Sequence, residues 1–384
     1  TRSLDHRGPD GSEVWSQGSV GLGHQRLCAT PESLHEKLPL TTLNQGLVIT
    51  ADARLDNRKE LLAWLGITGG EEIGDGELIL EAYLRWGEDC VEKLLGDFAF
   101  AIWDAGRHAL FCARDHFGVK PYYYFASDKA FIFASEIKAL FALPETPRRI
   151  NRERVGDYVA DVFSDAESTF YLDVLRLPPA HCVTVSPSGV RTRRYWQLDP
   201  ERETRLASNA EYAEAFRELF TEAVRCRLRT AGPVGSMLSG GLDSSSITCV
   251  ARNLLADTAA PLKTFSAFFD AVPECDERAF INLVLARNGL DPHFIEGNQH
   301  APFSNLRRIE WHADQPAYGP NCDMVWSIYE CAETKGVRVL LDGHDGDTTV
   351  SYGDRYLHEL ARTGRWIALT SELRGLARHD GSSV

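Results

Sequence analysis

Between Val234 and Ser246 the chain reads Val-Gly-Ser-Met-Leu-Ser-Gly-Gly-Leu-Asp-Ser-Ser-Ser. Two adjacent glycines, Gly240 and Gly241, let a backbone pass close to a bulky anion. Hydroxyls and free N–H groups at a helix start supply donors and a favourable dipole. These residue types in this order suit the binding of phosphate. A Walker loop would need Gly-Lys-Ser/Thr after a four-residue gap, and a dinucleotide loop Gly-x-Gly-x-x-Gly; neither occurs here. A turn without a ligand would not require both glycines, an acid and several hydroxyls in so short a run.

Such a loop must be held by its neighbours. The pattern predicts a short buried strand before it and, after it, a helix that opens with Asp243 and Ser244 and carries Ile247, Val250 and Ala251. Upstream, Ser208 and Glu211 form a capping box ahead of apolar Tyr212, Phe216, Leu219, Phe220 and Val224 at helical spacing, so a domain begins near residue 205. Strand-like runs at 262–269 and 337–341, with helical stretches between, predict an α/β domain over 205–384. Its sheet is expected to be parallel and doubly wound, with the ligand at the strand C-termini. Residues 198–207, with Pro200 and five charged side chains, read as a linker. Residues 1–197 alternate β-rich runs, such as Gly46-Leu-Val-Ile-Thr50 and Phe98-Ala-Phe-Ala-Ile-Trp103, with turns and a helical pattern from Asp75 to Trp86. That predicts an α+β layered domain.

The whole chain has 384 residues, 43% hydrophobic and 25% charged, an ordinary balance for two globular domains. Its formal charge of -14 argues against nucleic acid or an anionic membrane as the main partner, since either needs clustered Lys and Arg. Small metabolites fit better. Nine scattered cysteines without a Cys-x-x-Cys pair predict reduced thiols in a cytoplasmic setting and no cysteine metal site. No run approaches the ~18 apolar residues of a membrane span.

Ser239-Gly-Gly-Leu-Asp-Ser-Ser245 resembles the pyrophosphate-binding loop of the ATP pyrophosphatases, which split ATP between its α and β phosphates. The N-terminal half narrows the resemblance. His6-Arg-Gly-Pro-Asp-Gly11, Leu22-Gly-His-Gln-Arg-Leu27, Gly96-Asp-Phe-Ala99, Ala113-Arg-Asp-His-Phe-Gly-Val-Lys-Pro121 and Ala134-Ser-Glu-Ile-Lys138 are similar, in order and spacing, to the glutamine-hydrolysing asparagine synthetase family. In that family an N-terminal-nucleophile (Ntn) glutaminase domain feeds ammonia to an ATP pyrophosphatase domain. The resemblance implies an Ntn-hydrolase-like domain at 1–197, expected to lack its start, and an asparagine synthetase-like ATP pyrophosphatase domain at 205–384, expected to lack its end. It implies ATP contacts at Leu238, Ser239, Gly240, Gly241, Asp243, Ser244 and Ser245, with Ala267 near adenine and Gly343 in the facing loop. Asp243 and Asp347 would hold Mg2+ on the polyphosphate, as two carboxylates with phosphate oxygens do. In the glutaminase half it implies that Arg26 holds the glutamine carboxylate and Asp75 the α-amino group.

The chain departs from the family pattern in ways that bear on chemistry. No N-terminal cysteine nucleophile is present, and Thr1 aligns inside the domain, as a truncation would leave it. Where the family has Asn-Gly-Glu, supplying oxyanion donors, this chain has Asp52-Ala53-Arg54, and an Asp carboxylate cannot donate. Asp342-Gly-His-Asp-Gly-Asp-Thr348 stands where the family has Ser-Gly-Glu-Gly-Ala/Gly-Asp-Glu, so His344 replaces the glutamate beside the acyl-adenylate and Thr348 the one after the aspartate. A neutral imidazole there suits a general base. The expected activity is an ATP-dependent, amide-forming ligase with an inactive glutaminase half, asparagine synthesis being the default. An intramolecular cyclase of the lasso-peptide or β-lactam type and a non-catalytic nucleotide-binding protein stay open. The expected partners are a small-molecule or peptide carboxylate and either ammonia or a substrate amine, and a homodimer is left open.

Overall fold

The segment Gly96–Asp104 shows why the N-terminal half is layered. From Phe98 to Trp103 its side chains are all apolar but differ in size by face. Phe98, Phe100 and Ile102 lie in one core cluster, and Ala99 and Ala101 in another. That is the period-2 signature of a strand buried on both faces. The large face packs against Leu78 and Ile79, the small face against Tyr122, Tyr124 and Leu177. Phe98 and Phe100 are 0% and 1% exposed; truncating such a side chain to alanine costs about 3–5 kcal/mol.

The computed structural model describes all residues except 43–45, 163–164, 259, 300, 302, 318, 320, 351–355 and 380–384. In chain order the N-terminal half holds β1 (Ser12–Gln17), β2 (Val20–Gln25), β3 (Leu40–Thr41), β4 (Leu47–Leu55), α1 (Arg58–Leu65), α2 (Asp75–Trp86), β5 (Gly96–Asp104), β6 (Ala109–Arg114), β7 (Tyr123–Ala126), β8 (Phe131–Ala134), α3 (Ile137–Leu140), α4 (Arg152–Val159), β9 (Leu175–Arg176), β10 (His181–Ser186) and β11 (Gly189–Arg194). β1 and β2 form a hairpin. An antiparallel six-stranded sheet runs β11-β10-β6-β5-β4-β3, and a three-stranded sheet runs β8-β7-β9. α1 and α2 cover one face of the larger sheet and the smaller sheet covers the other. The α+β layering expected from the sequence is what forms.

Residues 195–208 contain neither helix nor strand. Ser208 Oγ then accepts from Glu211 N at 3.3 Å, capping α5 (Asn209–Arg227). The C-terminal half continues with β12 (Val234–Met237), α6 (Leu242–Leu254), β13 (Leu262–Phe268), α7 (Arg278–Leu285), β14 (Leu290–Glu296), α8 (Leu306–Ala313), α9 (Cys322–Thr334), β15 (Val339–Leu341), α10 (Gly346–Val350), α11 (Tyr356–Arg362) and α12 (Trp366–His379). Its four strands are all parallel, in the order β14-β13-β12-β15. Val224 of α5 and Ala251 of α6 pack on one face of the sheet, and Ile328 and Ala332 of α9 on the other. The sheet is doubly wound. Because β13 lies on one side of β12 and β15 on the other, the C-terminal end of β12 is where the strand order reverses, the usual ligand position in such sheets. No helix among the described residues is long and apolar enough to cross a membrane.

Candidate active site

At that reversal point the chain turns from β12 through residues 238–241 into α6. Leu238 is buried against Ile281 and Val284. Its N–H donates to the Phe265 carbonyl at 2.9 Å and its carbonyl accepts from Ser266 Oγ at 2.6 Å, which pins the loop to β13. Gly240 has φ +94°, and a β-carbon there would lie 3.1 Å from Phe280 Cβ and 3.2 Å from the Glu277 carbonyl oxygen, so only glycine fits. Ser244 Oγ accepts from Ser239 N at 3.2 Å and lies 3.0 Å from Ser239 Oγ. These bonds set the width of the turn. Ser239 and Gly241 stay exposed, while Asp243 and Ser245 are half-buried in the first turn of α6, where the helix dipole favours an anion. Ala267 flanks the turn near the end of β13, next to Ser266.

β15 delivers a second loop onto the first. A β-carbon on Gly343 would lie 2.8 Å from Ser244 N, and one on Gly346 would overlap the Asp243 carboxyl group. Asp347 follows directly and is exposed at the start of α10. Two carboxylates thus sit on loops in contact. Among the described residues no group of three or more His, Cys, Asp or Glu could hold a metal. Two hard carboxylate oxygen donors on adjoining loops are a donor set that fits Mg2+. His344 N donates to Asp342 Oδ1 at 3.0 Å. The His344 ring is 85% exposed, with Nε2 3.8 Å from Asp345 Oδ2. The Thr348 side chain lies outside the described part.

The other three expected residues lie in the N-terminal half, and their surroundings are different in kind. Arg26 donates to the Asp10 carbonyl at 2.8 Å and to the Glu36 carbonyl at 3.4 Å. Asp75, only 3% exposed, accepts from Leu55 N at 3.2 Å and is paired with Arg58 and, at 3.1 Å, with Arg229 of the second domain. Glu36 reaches over the start of α2, accepting from Gly76 N at 2.8 Å and Glu77 N at 3.2 Å. Burial, then the neighbouring Asp75, push the Glu36 carboxyl up to about 7. Asp52 pairs with Lys120 Nζ at 2.5 Å and Arg7 at 3.6 Å. Although burial acts the other way, these cations hold the Asp52 carboxyl below its ordinary value. Arg54 turns away to donate to the Cys226 carbonyl at 2.6 Å. An incoming α-ammonium would therefore find Asp75 already saturated by guanidinium groups. Glu32, Glu36, Arg58 and Arg229 were not visible as site residues in the sequence, because their meeting is long-range; Arg229 is 154 positions from Asp75.

Two family profiles match the two halves of the chain. One described as a glutamine amidotransferase domain matches residues 1–196, and one described as asparagine synthase matches 215–382. The chain belongs to the asparagine synthetase family. Asparagine synthetase [glutamine-hydrolyzing] 3 of Bacillus subtilis is 36% identical over 275 residues, covering 70% of this chain and 44% of that protein. Putative asparagine synthetase [glutamine-hydrolyzing] 2 of Methanocaldococcus jannaschii is 29% identical over 367 residues, covering 90% and 70%. Amidase chyE of Penicillium rubens is 28% identical over 379 residues, covering 93% and 55%. The chain spans about half the length of most curated relatives it matches.

Two expectations follow for the family's glutamine pocket in this chain. Supplied with glutamine, a form of the protein carrying the family's N-terminal cysteine is expected to release glutamate at least about 100-fold more slowly than a glutaminase that keeps its oxyanion donors, since losing one such donor costs about 100-fold to 1000-fold; a comparable rate would refute this. The Glu36 carboxyl, raised from 4.5 to about 7, binds its proton more tightly folded than unfolded, so its contribution to stability declines as pH rises through that window. Glu36→Gln is expected to gain melting temperature relative to wild type as pH rises across it, and a pH-independent difference would count against the assignment.

Proposed function

We propose that this chain is the core of an ATP-dependent, amide-forming ligase that activates a carboxylate as its acyl-adenylate and passes it to an amine. The observation that carries this reading is the closure of the Gly343–Gly346 loop on Asp243 at the C-terminal end of the central strand. In this reading the start of α6, the adjacent hydroxyls and the two acids act on one polyphosphate. A carboxylate oxygen of the substrate attacks the α-phosphorus, and the bond to the bridging oxygen breaks as pyrophosphate leaves. An amine nitrogen then attacks the acyl carbon and loses a proton as AMP departs. Ser239, Gly240, Gly241, Ser244 and Ser245, with the first amides of α6, bind and orient the polyphosphate. Ala267, small and beside the turn, leaves room for a flat purine. Asp243 and Asp347 would hold Mg2+, which when bound neutralises charge on the polyphosphate.

Asparagine synthesis is the default. The saturation of Asp75 and the pairing of Asp52 support an amine that the N-terminal half does not make, either free ammonia or an amine of the substrate itself. The second case is the intramolecular cyclase reading. ATP–pyrophosphate exchange across a panel of carboxylic acids tests the proposal, and no exchange with any acid in a complete protein would favour a nucleotide-binding protein without chemistry.

Asp243→Asn and Asp347→Asn are each expected to lower exchange by at least about 100-fold with the fold intact, because a neutral amide is a poor substitute for an anionic oxygen ligand. Wild-type exchange in either variant removes that residue from the site. His344, exposed on the closing loop, is the group we assign to take the amine's proton. His344→Ala should keep pyrophosphate exchange yet lose amide product by roughly 100-fold. If both half-reactions fall together, the residue positions nucleotide instead; if neither falls, the proton goes elsewhere.

A further inference from the structure

Both strands that carry the halves of the site are tied, at the ends remote from it, to the N-terminal domain by arginines. Arg229 lies five residues before β12. Its guanidinium donates to Glu32 Oε2 at 2.6 Å, to the Leu55 carbonyl at 2.8 Å and to Asp75 Oδ2 at 3.1 Å, three acceptors from three separate segments of the other domain. Two residues further on, Ala231 N donates to the Ala29 carbonyl at 2.9 Å. Arg338 immediately precedes β15 and donates to Asp10 Oδ1 at 2.9 Å and to the Cys28 carbonyl at 3.3 Å. The ties run both ways, since Arg54 donates to the last turn of α5 at the Cys226 carbonyl. Planar guanidinium forks with several acceptors fix direction as well as distance.

β12 ends in the glycine turn and β15 in the loop that closes over Asp243. The two strands pair in parallel over only Val234–Val339, Gly235–Leu340 and Ser236–Leu341. Three residue pairs leave their relative placement dependent on what holds their N-terminal ends. The glycine turn and the covering loop lie at the far ends of these two strands from the arginine anchors.

We propose that the N-terminal domain is a positioning platform for the nucleotide site, with Arg229 and Arg338 as the positioning residues that seat β12 and β15 and so set the glycine turn against the Asp243-covering loop. This rests on the ligase reading for its catalytic consequence, not for its structural one. The remnant of the glutamine pocket, Asp75 with Glu32, serves as the receptor for Arg229.

The test uses the complete protein and the variants Arg229→Met, Arg229→Lys and Arg338→Met. Amide hydrogen exchange is expected to speed up about 10-fold or more in residues 234–245 and 339–347 of the methionine variants, with β4 and β5 unchanged; a lysine at 229, able to serve fewer acceptors, falls between. In the same variants the KM for ATP in pyrophosphate exchange should rise with a smaller change in kcat. Unchanged protection in those two segments, or an equal loss throughout both domains, overturns the platform. If wild type shows no exchange with any acid, the ligase reading fails while the hydrogen-exchange result still decides the platform, so the two failures are separable.

Discussion

A carboxylate that is 3% exposed, as Asp75 is, cannot stay ionised without partners, and here the partners come from both domains. Arg58 on α1 supplies one guanidinium and Arg229 the other. Removing one member of such a buried cluster typically costs about 3–5 kcal/mol, because the remaining charge is left uncompensated. The domain junction is therefore conditional on chain beyond α5 reaching back to α2. Arg227, two residues earlier at the end of α5, repeats the arrangement, meeting Asp56 at 3.1 Å and Asp97 at 3.0 Å. The junction is made of charge, so its specificity comes from matched geometry more than from buried apolar area.

The two ends of the molecule show what makes a pocket receptive. In the N-terminal half the expected pocket acids Asp52 and Asp75 are already paired, and Glu36 has taken the free amides at the start of α2. At β12 the opposite holds. The loop after β15 can lie directly against Asp243 because Gly343 and Gly346 lack side chains, while Ser239 and Gly241 remain exposed at the head of α6. A saturated site is a joint, and an unsaturated one can bind. Local sequence describes the second kind well, because a glycine turn at a helix start is contiguous in the chain.

That contrast also explains what could be read from the sequence. The alternation in Gly96–Asp104 and the 3.6 period of Asp75–Trp86 each report burial through neighbours a few residues apart, and both elements form as expected. The capping box at Ser208 and the strand–turn–helix at 234–246 are likewise local. β14 is not legible in the sequence, because Leu290-Asp-Pro-His-Phe-Ile-Glu296 has neither alternation nor a continuous apolar run. It can nevertheless be a strand because it lies at the sheet edge, where Pro292 loses no necessary donor. The surroundings of Asp75 could not be read at all: a residue type and a motif position say nothing about an arginine in another domain.

The triplet Asp52-Ala53-Arg54 on β4 does mechanical work at the junction with α5. Side chains alternate along a strand, so Asp52 and Arg54 share a face while Ala53 packs into the core on the other. On that shared face Asp52 takes the ammonium of Lys120, and Arg54 spans to the carbonyl end of α5. An oxyanion developing beside them would meet a fixed negative charge from Asp52, the reverse of stabilisation. The same positive charge on Arg54 is favourable at a helix C-terminus, where the dipole is negative. On one face of β4, then, Asp52 carries a fixed pairing with Lys120 and Arg54 supports the seat of α5.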